Sequence, residues 1–284
     1  MGYGFYSGTN RSARSQTMGY ATNSIGEIFS RRSLDNGMDP KNIELRESRD
    51  SEEHPNSVSI ILGLDVTGSM GKIPHDLVKD GLPNIMGRVM EAGIDDPQLL
   101  FLGIGDHKVD RAPLQIGQFE SNDELLDKWL TNLYLEGGGG GNGGESYHLA
   151  WYFAATRTSI DCFEKRSQKG IIFTIGDEPV HRDLSRESIN RFIDGEERSY
   201  TASELLSMAQ EKYHVYHIHI VHGARSSDDR VIGGWKELVG DNLFLIKNKK
   251  DIPNIISSTI AKVMGVDGEN ASTITETQQE EIIL

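Results

Sequence analysis

Residues 60–72 read IILGLDVTGSMGK. Ile60, Ile61 and Leu64 form a short apolar run of the kind needed by a strand buried on both faces of a parallel sheet. The run gives way to Asp65, Thr67 and Ser69, three oxygen-bearing side chains at alternate positions in a turn loosened by Gly68. A carboxylate and two hydroxyls at the carboxyl end of a strand make a hard-oxygen nest suited to a small divalent cation. In open α/β sheets that end of the strands is where ligands bind. The alternative for this turn is a hydroxyl-rich helix cap.

Working outward, apolar runs predict further strands over 98–105 (QLLFLGIG), 113–119, 170–175, 215–221 and 242–246. Pro113 and Gly117 place the 113–119 strand at a sheet edge. Between the strands lie helical patterns. One runs over 74–92, where Pro74 suits a first turn and Pro83 predicts a kink or restart. Another opens on the sequence Ser121-Asn122-Asp123-Glu124, read as a capping box. Two polar helices follow residue 177, the second opened by Thr201 and Glu204, and Pro253 begins a last amphipathic helix. Strands alternating with helices imply an α/β domain built on one doubly wound, mostly parallel sheet with helices on both faces.

The pattern divides the chain into an N-terminal extension (1–57), a main domain (58–266) and an acidic C-terminal tail (267–284). The extension is rich in Gly, Ser, Tyr, Asn and Arg up to residue 33, with Arg11, Arg14, Arg31 and Arg32 nearly uncompensated locally, and then turns charged over 43–56. It has too few apolar residues for a core of its own, so it is expected to be partly disordered or docked on the main domain.

Two further strand exits carry oxygen ligands. A glycine-rich run over 137–144, interrupted by Asn142, leads into Glu145 and Ser146, and the 170–175 strand runs into Gly176-Asp177. Together the three loops could supply the six-oxygen, partly hydrated shell that Mg²⁺ requires. This arrangement resembles the von Willebrand factor A-type family, whose metal-ion-dependent adhesion site begins with a D-x-S/T-x-S loop. The resemblance covers 58–266 and implies a six-stranded sheet with one antiparallel edge strand. It gives Asp65, Thr67 and Ser69 the first-loop ligand roles and Asp177 the third-loop role. The second loop departs from the commonest form, which has a threonine, and is more like the G-G-G-D-x-P-E loop of other members. That likeness makes Glu145 a ligand, with Asn142 and Ser146 as substitutes, and gives Asp106 a structural or peripheral part.

The implied cofactor is one Mg²⁺, with Mn²⁺ or Ca²⁺ as alternatives, and the implied function is cation-dependent protein–protein interaction in the assembly or regulation of a complex. A partner's Asp or Glu would complete the metal. The family's intracellular members often work beside AAA+ ATPases, which is the partner class implied. Self-association through the acidic tail (Glu280, Glu281 or the Leu284 carboxylate) is a further reading. The enzymatic alternative is Mg²⁺/Mn²⁺-dependent phosphoester hydrolysis at the same site, against which stands the lack of an Arg/Lys cluster near the acids.

Other chemistries fit less well. Val66 stands where a P-loop needs its first glycine, and Lys108 replaces the third glycine of a dinucleotide fingerprint after Gly103 and Gly105. Ser69 lacks the first glycine of a nucleophile elbow, although His181 or His222 could serve as base. His217 and His219 share one face of a strand, where neighbouring polar groups usually hold such rings. A net charge of −14 opposes a general affinity for nucleic acid. Cys162 is the only cysteine, no apolar run approaches the roughly 20 residues that span a bilayer, and the start lacks a signal-peptide pattern. A non-enzymatic, cytoplasmic protein without membrane contact is the expectation.

Overall fold

The strand that ends in Asp65 lies at the centre of the main sheet. Six strands build it: β1 (Val58–Asp65), β2 (Pro97–Ile104), β3 (Leu114–Ile116), β4 (Gly170–Gly176), β5 (Tyr213–Ile220) and β6 (Leu243–Ile246), in the spatial order β6-β5-β4-β1-β2-β3. The computed structural model describes residues 4–70, 73–136, 143–195, 197–222 and 226–266, with Ser69 described by its backbone alone. Asn142 and the tail from 267 onward, with the readings placed on them, lie outside the described residues.

Every neighbouring pair is parallel except β3, which runs antiparallel to β2 with Leu114 opposite Ile104 and Ile116 opposite Leu102. That is the mostly parallel sheet expected from the alternation of strands and helices, with the one antiparallel edge strand that the resemblance implied. All eight residues of β1 and all eight of β2 are buried, as apolar runs covered on both faces must be.

Side chains alternate between two cores. Ile60, Leu62 and Leu64 face a layer containing α2 (Leu82–Glu91), α3 (Asp123–Thr131) and α7 (Ile252–Met264), together with α1 (Gly8–Thr17) of the extension. Ile61 faces the other layer, with α4 (Tyr147–Thr156), α5 (Ala202–Lys212) and α6 (Asp229–Val239). The order of strands reverses beside β1: the chain moves to β2 and β3 on one side, then returns to β4 on the other. Leu64 pairs with Ile175, so the exits of β1 and β4 lie next to each other at this switch point.

Residues 4–57 are docked rather than loose. Tyr6, Tyr20, Ile28, Phe29 and Met38 are buried in the first core. The anchor is a buried charge cluster in which Asp127 of α3 accepts from Arg11, from Arg14 Nε at 2.8 Å and from the Tyr20 hydroxyl at 2.8 Å. The charged stretch contributes Arg46–Ser48, which pairs in parallel with Thr158–Ile160.

One local expectation holds and another shifts. Pro83 marks a restart: α2 begins at Leu82 with Pro83 in its first turn, and the turn before it, Leu77–Gly81, widens into a π-helix in which the Leu82 N–H reaches back to the Leu77 carbonyl. This i→i−5 turn absorbs the donor that proline lacks and its clash with the preceding turn. Asn122, not Ser121, caps α3, its side chain accepting from the Leu125 N–H at 2.8 Å. Both residue types cap well, so the register of Leu126 and Leu130 against the core decides between them. Thr201 and Glu204 form the expected capping box on α5.

Candidate metal centre

Asp65 is fully buried at the exit of β1. Its Oδ1 accepts from the Thr67 N–H at 2.9 Å and the Thr67 hydroxyl at 2.6 Å, an Asx-type turn that folds the D-x-T loop back on its carboxylate. Its Oδ2 accepts from the Tyr147 hydroxyl at 3.2 Å. Tyr147 is the first residue of α4, and its phenol crosses β4 where Gly176 leaves room. A Cβ at Gly176 would sit 1.8 Å from the Tyr147 oxygen, so only glycine permits this approach.

Glu145 enters from the second loop. Its N–H donates to the Pro179 carbonyl at 2.8 Å and its carbonyl accepts from the His181 N–H at 3.2 Å, a short parallel bridge opposite Val180 that joins the second and third loops. The side chain is buried, and Oε2 has no hydrogen-bond partner among the described residues. Asp177 follows β4 directly, with His222 Nε2 2.9 Å from its Oδ2. The adjoining Glu178 carbonyl accepts from Trp235 Nε1 at 3.1 Å, which fixes the third loop over α6.

The residues Asp65, Thr67, Glu145 and Asp177 are thereby brought to one end of the sheet. Gly68–Met70 forms a single 3₁₀ turn carrying the Ser69 backbone, while the Ser69 side chain lies outside the description. Ser146 sits elsewhere: its Oγ meets the His107 N–H and His107 Nδ1, each at 2.8 Å.

The acids crowd one another. Burial pushes Asp65 up to about 7, reinforced by Asp177 and opposed by the Thr67 and Tyr147 hydrogen bonds. Burial, then the charges of Asp65, Asp106, Asp110 and Glu178, drive Glu145 far above the carboxylate range. Burial and the charges of Asp65, Glu145 and Asp177 raise the Tyr147 phenol. A divalent cation would offset this repulsion and give the unpartnered Glu145 oxygen a ligand role, so the donor set fits a hard cation.

A pH effect follows. The unfolded chain releases the Asp65 proton near the ordinary carboxylate value of 3.8, while the folded chain holds it up to about 7. The folded state therefore binds more protons across that window, and its stability, fully present below it, declines as pH rises through it. The Tm of the EDTA-treated protein is expected to fall between about pH 4 and about pH 7, and saturating Mg²⁺ to flatten the slope. Thermal unfolding at both pH values checks this; a slope indifferent to Mg²⁺ contradicts it.

A second group lies beside the first. Asp106, His107 and His181 each offer one ligand atom, these atoms lie within 4.8 Å of one another, and the three residues could hold a metal ion. Asp106 and His107 follow β2 after the single residue Gly105, and His181 lies four residues beyond Asp177. Burial lowers His107 to about 4, so its ring is neutral at pH 7. The sequence reading gave Asp106 a structural or peripheral part and considered His181 only as a hydrolytic base. A usable signal was present, since Asp106-His107 leaves a buried strand at the same sheet end as Asp65. The histidines of β5 are held otherwise: His217 bonds Thr174 Oγ1 at 2.9 Å and stacks on Trp235 at 3.5 Å, and His219 Nε2 meets the Ser226 carbonyl at 2.9 Å.

No family model and no curated protein matches this chain. Among solved structures, the open conformation of the pilus adhesin SpaC from Lactobacillus rhamnosus GG aligns with TM-score 0.50 and 9% identity, over 77% of this chain and 31% of that one. A second form of the same adhesin aligns with TM-score 0.47 and 10% identity, over 77% and 32%. The likeness is one of fold. This chain spans under a third of the adhesin's length. No helix among the described residues is long and apolar enough to cross a membrane.

Proposed function

We propose that the protein is a divalent-cation-dependent protein–protein interaction module of the von Willebrand factor A type, non-enzymatic and cytoplasmic. One Mg²⁺, with Mn²⁺ or Ca²⁺ as alternatives, would be held by Asp65, Thr67, Ser69, Glu145 and Asp177. A partner's Asp or Glu would supply the last oxygen, and an AAA+ ATPase is the partner class to test first. The observation that carries this reading is that Asp65 and Asp177 leave the paired strands β1 and β4 side by side, while Glu145 is clasped by backbone hydrogen bonds to the loop after Asp177, so acids from three separate loops lie at one end of the sheet. Such convergence at a sheet switch point favours a ligand site over a helix cap. A metal ringed by few charged ligands stays electrophilic enough to draw an outside carboxylate; direct Glu145 ligation would weaken that pull.

The test is capture from lysate on the immobilised chain in Mg²⁺ against EDTA, beside a phosphatase assay with Mg²⁺ and Mn²⁺. Specific proteins retained only with the cation, and no turnover, are expected. The same proteins captured equally in EDTA, or metal-dependent phosphoester hydrolysis, would overturn the reading.

A further inference from the structure

We propose that Asp106, His107 and His181 form a second metal site, selective for a transition cation of the Zn²⁺ type and separate from the oxygen site at Asp65. Two imidazoles and one carboxylate are a donor set for borderline cations, whereas the hydroxyls and carboxylates around Asp65 suit Mg²⁺. The three residues are 1%, 5% and 5% exposed, so a cation between them would be shielded from water.

Each ligand is also held from behind, as metal ligands commonly are. Ser146 Oγ lies 2.8 Å from His107 Nδ1, and the Ser146 N–H is tied to the Gly105 carbonyl at 3.0 Å. With Nδ1–H donated to that oxygen, Nε2 is left to face a cation. Asp106 is fixed by its own N–H, which donates to Asp110 Oδ2 at 2.7 Å, and by the Lys108 N–H, which donates to Asp106 Oδ1 at 2.9 Å. His181 is set by the backbone bridge to Glu145, with Nε2 2.8 Å from Asp106 Oδ1.

Two independent observations point to a cation. Glu145 is 6% exposed, its Oε2 lacks a partner among the described residues, and the charges of both Asp65 and Asp106 act on it. Glu145 therefore lies within electrostatic reach of acids from both sites, and its spare carboxylate oxygen is available as a fourth ligand. Second, a cationic group already approaches: the ammonium of the exposed Lys108 lies 3.1 Å from His181 Nδ1. An ammonium can only donate, so Nδ1 holds the lone pair here and Nε2 the proton; a metal taking Nε2 on the Asp106 side would send that proton to Nδ1, which could then no longer accept from Lys108. Lys108 is then a competitor that must swing outward when the metal enters.

The experiment is a Co²⁺ titration of the full chain in saturating Mg²⁺, read by ligand-field absorption, with Zn²⁺ as displacing ion. One Co²⁺ per chain is expected, displaced by Zn²⁺. Its affinity should fall by at least about 100-fold in His107→Gln and His181→Gln, persist in Asp65→Ala and rise in Lys108→Ala. Absorption no different from aqueous Co²⁺, equal affinity in both histidine variants, or loss in Asp65→Ala would overturn the second site. Circular dichroism shows whether the histidine variants fold. If they do not, the surface variant Lys108→Ala decides: tighter binding supports the site and unchanged binding refutes it. The oxygen site is read separately, by Mg²⁺ calorimetry, so either site can fail alone.

Discussion

Asp65→Asn is expected to weaken Mg²⁺ binding by roughly 100-fold or more, as measured by calorimetry at pH 8. The substitution keeps the shape that organises the turn. An amide oxygen can still accept from the Thr67 N–H and hydroxyl, as Oδ1 now does. What it removes is the negative charge at the point where β1 meets the switch. Asp65→Ala should lose as much affinity and also slacken the loop, because both Thr67 contacts disappear. The two variants therefore separate charge from scaffolding. In EDTA, Asp65→Asn should be at least as stable as the parent above about pH 7, because a buried carboxylate facing Asp177 is no longer ionised there. Equal Mg²⁺ affinity in parent and Asp65→Asn would mean that the acids at this end of the sheet do not hold the ion.

Asp127→Ala is expected to cost about 3–5 kcal/mol of folding free energy. Asp127 is fully buried and accepts from Arg11, Arg14 and Tyr20. Its loss strands the Arg11 guanidinium, which is 2% exposed and retains the Val78 carbonyl as an acceptor. An unpaired charge in that position is far more costly than the pair is favourable. The double variant Arg11→Met, Asp127→Leu should recover much of the loss by replacing charge with packing. Urea unfolding of the three proteins measures this, and limited proteolysis should show the extension cut first in Asp127→Ala. A stability change within about 0.5 kcal/mol would show that the extension is held by its apolar residues alone.

How far each feature was legible depends on whether its cause is local. The β1 and β4 strands are apolar runs with glycine or aspartate at their ends, and that signal needs no partner to be read. The turn at Asp65 was equally visible, because alternating oxygen side chains after a buried strand have few other uses. The extension was not. Tyr6, Tyr20, Ile28, Phe29 and Met38 are spread too thinly to predict burial, and the acid that compensates Arg11 and Arg14 lies more than 100 residues away. His107 and His181 were obscure for the same reason: the topology joins them, whereas the β5 histidines drew notice by being close in sequence. Ser146 shows the limit of spacing arguments, since it stands beside Glu145 in the chain yet turns to His107.

The bridge between Glu145 and Val180 has a mechanical meaning. Two segments clasped by main-chain hydrogen bonds, at 2.8 Å and 3.2 Å, travel as one piece. If Glu145 gives way to an incoming acid, it must do so by swivelling its side chain, because its backbone cannot back off without dragging the third loop, and Asp177 with it. Seating a guest would then resemble turning a key in a fixed lock housing, with little remodelling of the surface around it.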